Sequence, residues 1–231
     1  MPLYEVERIS LEVISAIACF ILLKFMIKSY QTTGENRYLG LPLGFGFLGA
    51  SYAFSALSYS QIFSFSNWGW IQLFIRGFAF LFLAVTYYFS KSEKNAKNLW
   101  NATFIVLGTM FMSLILFAIF SSEILRSDYV LYYILVRVIS FLCLFYIIIH
   151  SLKRHVEKPE STLIAPLGYI LLAIDQYSSI IWVVDNSYFA LFGGVLSRLG
   201  GLAIFLAITY RAFFRSYRKK GGVNEENSST G

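Results

Sequence analysis

Arg76, Arg137 and Arg198 each interrupt a long apolar run, and successive members lie 61 residues apart. A guanidinium near the middle of a bilayer costs roughly 2.5–3.5 kcal/mol even on the lenient insertion scale, so it marks a partner or a task. Arginine presents a planar fork of donors that matches carboxylate and phosphate oxygens, and it stays charged at any physiological pH. The chemistry open to three of them together is therefore oxyanion binding. Their acidic counterpart is Asp175, with Gln176 beside it, in the run between Arg137 and Arg198. Three arginines against one carboxylate leave positive charge over, and an unpaired buried charge is costly. Water, an anion or an acidic ligand would complete the balance. Glu12 stands closer to the start of the first run, near the expected membrane surface, where a snorkelling arginine could reach it.

These residues need a scaffold, and composition says which kind. Of 231 residues, 57% are hydrophobic and 14% charged, against about 25% charged in a soluble domain. Mean hydropathy is +0.63. A spanning helix takes about 20 apolar residues. Seven such runs fit at about 9–30, 39–61, 67–89, 99–120, 128–150, 161–184 and 188–211. The expected fold is all-α, a polytopic seven-helix transmembrane bundle over residues 1–211; six spans would result if the first or last run lay on the surface. The very short links at 62–66 and 185–187 require antiparallel neighbours. The amino terminus lacks the basic start and cleavage site of a secretory signal, so the first run is expected to stay as a helix. Residues 212–231 form a tail that is first basic, then polar and disordered from Gly221. Arg215, Arg218, Lys219 and Lys220 there suit anionic lipid headgroups.

Direction follows from the loops. One side of the seven-span scheme collects fourteen Lys and Arg, and the other two. Cytoplasmic loops carry the excess. The amino terminus is expected outside and the carboxyl terminus inside, in a multi-pass cell-membrane protein. The sequon Asn227-Ser228-Ser229 would then face the cytosol unused.

The arginine interval belongs to a wider repeat. Phe82-Leu83-Ala84-Val85-Thr86-Tyr87 returns as Phe205-Leu206-Ala207-Ile208-Thr209-Tyr210. Pro42-Leu43-Gly44-Phe45 returns as Pro166-Leu167-Gly168-Tyr169, 124 residues later, which lays Ser51 on Asp175 and Ser55 on Ser179. Half that offset puts Ser113 between Ser51 and Asp175. The pattern implies about three parallel helix hairpins plus one helix, related by rotation about the membrane normal. Gly44, Gly46, Gly49, Gly194, Gly200 and Gly201 would permit close helix contact.

Counted from the outer helix ends, the arginines and Asp175 are about nine or ten residues deep, a common level about 14 Å in. The expected site is a polar layer of Arg76, Arg137, Arg198, Asp175, Gln176, Ser51, Ser113 and Glu12. It either fixes helix packing through salt bridges or lines a cavity for a small anion. A ligand-binding or sensory module, a subunit of a membrane complex, and a small-solute or ion transporter all fit that layer. The partners expected are the bilayer and either an anionic small molecule or another membrane subunit. The formal charge of +6 sits in short loops and the tail, a placement that topology explains without nucleic acid. Catalytic signals are missing: no glycine-rich phosphate loop with lysine, no H-E-x-x-H, no G-x-S-x-G. The seventh run has no lysine for a retinal Schiff base. Cys19 and Cys143 lie inside runs as small hydrophobes. Together with His150 and His155 they offer too few ligands for zinc or haem, so no cofactor or metal is expected.

Overall fold

In a bilayer an apolar run must satisfy its own backbone, and a helix does so within one segment. The structure, a computed structural model, describes residues 3–33, 39–60, 68–89, 96–120, 129–157 and 164–226. The described elements are α1 (Leu3–Thr33), α2 (Gly40–Tyr59), α3 (Trp68–Phe89), α4 (Ala96–Phe120), α5 (Tyr129–Glu157), α6 (Ile164–Asp185) and α7 (Tyr188–Glu226). All seven are long and apolar enough to cross a membrane. The chain is an all-helical, multi-pass membrane protein.

Most helix ends fall within a few residues of the apolar runs. Two differences matter. α1 starts at Leu3, so Glu12 is nine residues along the helix instead of near its mouth. α7 continues to Glu226, past Gly221, where the sequence expects order to end. Once a helix is nucleated, each further residue adds a hydrogen bond. The basic loop residues Arg37, Lys91, Lys94, Arg126 and Lys158 and the sequon lie outside the described residues. So do the side chains of Arg215, Arg218, Lys219 and Lys220.

Between α6 and α7 the chain reverses in two residues. Asn186 takes the left-handed conformation at φ 50°, and its N–H closes on the Trp182 carbonyl at 2.9 Å. Asparagine tolerates that geometry better than most residues. Ser187 then caps α7, its hydroxyl accepting from the Ala190 N–H at 3.4 Å.

Packing joins α1, α2, α3, α5, α6 and α7 into a closed ring, in that order, with α1 meeting α7. α4 packs on the outside, against α3. Helices associate in lipid through close contact at small residues. A Cβ on Gly201 of α7 would fall 2.8 Å from the Gly168 carbonyl of α6, so those backbones nearly touch. α2 and α3 approach similarly, where a Cβ on Gly44 would fall 2.5 Å from Leu83. α4 lacks such a seam: a Cβ on Gly108 would meet nothing within 4 Å. It is held by aromatic contacts, with Phe111 edge-on to Phe47 and Phe78 at 4.9 and 5.1 Å. The α4–α5 pair therefore differs from the close hairpins α2–α3 and α6–α7.

The two ends of the ring differ in kind. Where α2 and α6 begin, Phe45, Tyr169 and Phe205 fill the interior, with Phe205 centroids 5.4 and 4.7 Å from Phe45 and Tyr169. Tyr87 closes that end by bonding the Tyr169 hydroxyl at 3.1 Å. The other half of the interior is polar.

A polar cavity inside the helix ring

Helix periodicity decides which side chains enter this half. Residues four apart share a face. Arg76, Arg137 and Arg198 project inward from α3, α5 and α7, and Ser51, Asp175 and Glu12 from α2, α6 and α1. With Gln176, each of these seven is at most 5% exposed, so none points into acyl chains.

Each arginine is tied across a different helix seam. Arg76 donates from Nε to the Ser51 hydroxyl at 2.9 Å, joining α3 to α2. Ser51 donates in turn to the Gln72 carbonyl at 3.3 Å, and the Gln72 amide donates to Ser55 at 2.7 Å. Arg137 donates to Gln176 Oε1 at 2.6 Å, joining α5 to α6. The other end of that amide donates to Asp175 Oδ2 at 2.9 Å. Asp175 thus meets Arg137 through Gln176. Arg198 pairs with Glu12 at 3.1 Å, joining α7 to α1. The earlier start of α1 is what brings Glu12 to this level.

Aromatic rings support the same guanidiniums. Tyr52 is fully buried between two of them, with Arg198 4.4 Å and Arg76 4.8 Å from its ring centroid. Arg137 lies 4.8 Å over the Tyr133 ring. A cation over a desolvated aromatic face gains about 2 kcal/mol. The rings hold the cations in place without neutralising them.

The arginine donors are not all used. Arg76 NH2, Arg137 Nε and Arg198 Nε have no protein hydrogen-bond partner, and neither do Glu12 Oε2 and the Tyr52 hydroxyl. Arg198 NH2 meets Glu12 Oε1 at 3.1 Å as an ion pair. Buried donors without acceptors are rare in native proteins and call for an explanation.

The three arginines line a cavity of about 270 Å³. Its wall includes Glu12 and Asp175, and it extends past Ser55, Gln72, Tyr133 and Ser179 to a mouth of Arg8, Tyr59, Tyr129, Trp182 and Asn186. The mouth lies at the end of the ring where α1 begins. Ser51 and Gln176 sit behind the wall and hold Arg76 and Arg137.

Ser113 has no part in this site. It is exposed on α4, outside the ring. Its placement from the 62-residue half-offset fails because α4 packs peripherally on α3. Several wall residues escaped the sequence reading, although a signal existed. Gln72 and Tyr133 precede Arg76 and Arg137 by four, Arg8 precedes Glu12 by four, and Ser55 and Ser179 follow Ser51 and Asp175 by four. Each lies one turn nearer the mouth on the same face.

No protein-family model, curated protein or solved structure matches this chain. Function rests on the site.

Proposed function

We propose that this protein is a membrane-embedded module that binds a small anion bearing a carboxylate or phosphate. The reading is carried by three arginines that line the cavity and hold buried donors without protein acceptors. Among the described residues of the wall, four guanidiniums, those of Arg8, Arg76, Arg137 and Arg198, face two carboxylates. An oxyanion would supply both the missing charge and the missing acceptors, with the guanidinium forks offering paired bonds. The asymmetry of loop charge supports an outside amino terminus, which sets the cavity mouth on the outer face. The parallel repeat supports a common origin for the three arginine-bearing helices. Ligand binding without turnover suits a sensory or accessory role in the cell membrane.

The test is thermal unfolding of the purified protein with millimolar carboxylates and phosphates. A ligand at a hundred times its Kd adds about 2.7 kcal/mol to stability. Stabilisation by at least one class, lost in Arg137→Ala and weakened in Arg137→Lys, is the expected result. No stabilisation across the panel would sink the proposal. Tracer flux in proteoliposomes separates binding from transport: flux abolished by Arg137→Ala would make the same cavity a transport site.

A further inference from the structure

The positive charge of the cavity is concentrated at two levels. Arg76, Arg137 and Arg198 form the deep one. Arg8 forms the other at the mouth, one turn before Glu12 on α1, or about 6 Å along the helix axis. Arg8 donates to the Tyr59 hydroxyl, and its guanidinium stands 3.8 Å over the Tyr59 ring and 4.8 Å from the Trp182 ring. This cage joins α1 to α2 and α6 and orients the cation through neutral groups. Tyr52 does the same for Arg76 and Arg198 below. Both levels therefore keep their charge available. Among the described residues of the wall, four guanidiniums stand against two carboxylates, which leaves two formal positive charges.

We infer that the occupant is a small two-headed dianion, one oxyanion end on Arg76 and Arg137 and the other on Arg8. The inference rests on the anion-binding reading above and adds a charge, a length and a specificity residue to it. A monoanion would leave one level unbalanced. A zwitterion would leave the whole excess. A compact dianion such as inorganic phosphate would reach only one level. The ends must lie about one helical turn apart, the span of a four-carbon dicarboxylate. A volume of 270 Å³ holds such a molecule, being roughly nine times the share of one water in the liquid, about 30 Å³.

Calorimetric titration of the full chain in phosphatidylcholine nanodiscs, which offer no anionic headgroup, tests this. The probes are succinate, butyrate, 4-aminobutyrate and inorganic phosphate. Succinate should bind at least about tenfold tighter than each of the others, as one extra charge-assisted contact implies. Arg8→Gln should weaken succinate more than butyrate and bring the ratio of their affinities close to one, and Arg8→Lys should keep most of the preference. Equal affinity for succinate and butyrate in the wild type would overturn the inference while leaving anion binding intact. Phosphate binding tighter than succinate would overturn its two-headed geometry. Binding by none of the four would overturn it as well. The wild-type comparison decides the matter even if an Arg8 variant fails to fold.

Discussion

Glu12 and Arg198 show how one carboxylate sets the stability of the site. The pair is closed at 3.1 Å, with side chains 7% and 2% exposed. Removing one partner of such a buried pair strands the other, at a cost of about 3–5 kcal/mol. Glu12→Gln should therefore lower the unfolding free energy on that scale, measured by denaturant unfolding in micelles. Glu12→Gln with Arg198→Met should recover a large part of the loss, since no charge is then stranded. If the double variant is as unstable as the single, the pair is not the source. Tyr52 separates two contributions in one side chain. Tyr52→Phe keeps the ring between Arg76 and Arg198 and removes a buried hydroxyl that has no partner. It should be neutral, or stabilising by about 1 kcal/mol. Tyr52→Leu removes the ring and should cost about 2 kcal/mol or more. Equal effects of the two substitutions would refute the cation–π account.

Element contacts explain which helices shape the cavity. α6 and α7 meet so closely that a Cβ on Gly201 would sit 2.8 Å from a backbone oxygen, which cannot swing aside. Gly201→Ala must push the helices apart, and overpacking of this kind costs about 1–3 kcal/mol. Gly108 on α4 has open space around it. Gly108→Ala should gain about 0.5–1 kcal/mol from helix propensity. Thermal melts of the two variants should move in opposite directions, and a shared direction would count against the packing described. The same comparison shows why α4 stays out of the ring. It lacks the Pro-Leu-Gly-aromatic tetrad of α2 and α6, and it presents Ile105, Val106, Met112, Leu116 and Phe120 outward.

At the scale of the whole molecule, a closed ring gives the arginines a shared interior and confines the cavity to one end. The aromatic fill around Phe45, Tyr169 and Phe205 stops it from running through. The direction of the mouth is open to a direct measurement. Asp185, at the mouth end of α6, and Lys153, near the opposite end of α5, are both exposed. In a background with Cys19 and Cys143 replaced by serine or alanine, Asp185→Cys should react with an impermeant maleimide on intact cells. Lys153→Cys should react only after lysis. The reverse pattern would invert the proposed orientation and place the mouth on the cytosolic side.

The number of helices long and apolar enough to span, and the distance of the arginines from their helix ends, were readable from the chain because hydropathy and helix rise are local properties that need no partner. The stripe from Gln72 to Arg76 and that from Tyr133 to Arg137 were readable on the same grounds, one turn further along each face. Helix neighbours were not. Apolar helices look alike to a periodicity argument, so Ser113 passed for a cavity residue until α4 packed outside the ring. Glu12 passed for a surface group until α1 began at Leu3. Tyr52 carried no polar pattern, and its position between two guanidiniums arises only where α1, α2, α3 and α7 converge. One-dimensional patterns record how deep a residue lies and which face it shares; which faces meet depends on the fit of glycines and rings between helices distant in the chain.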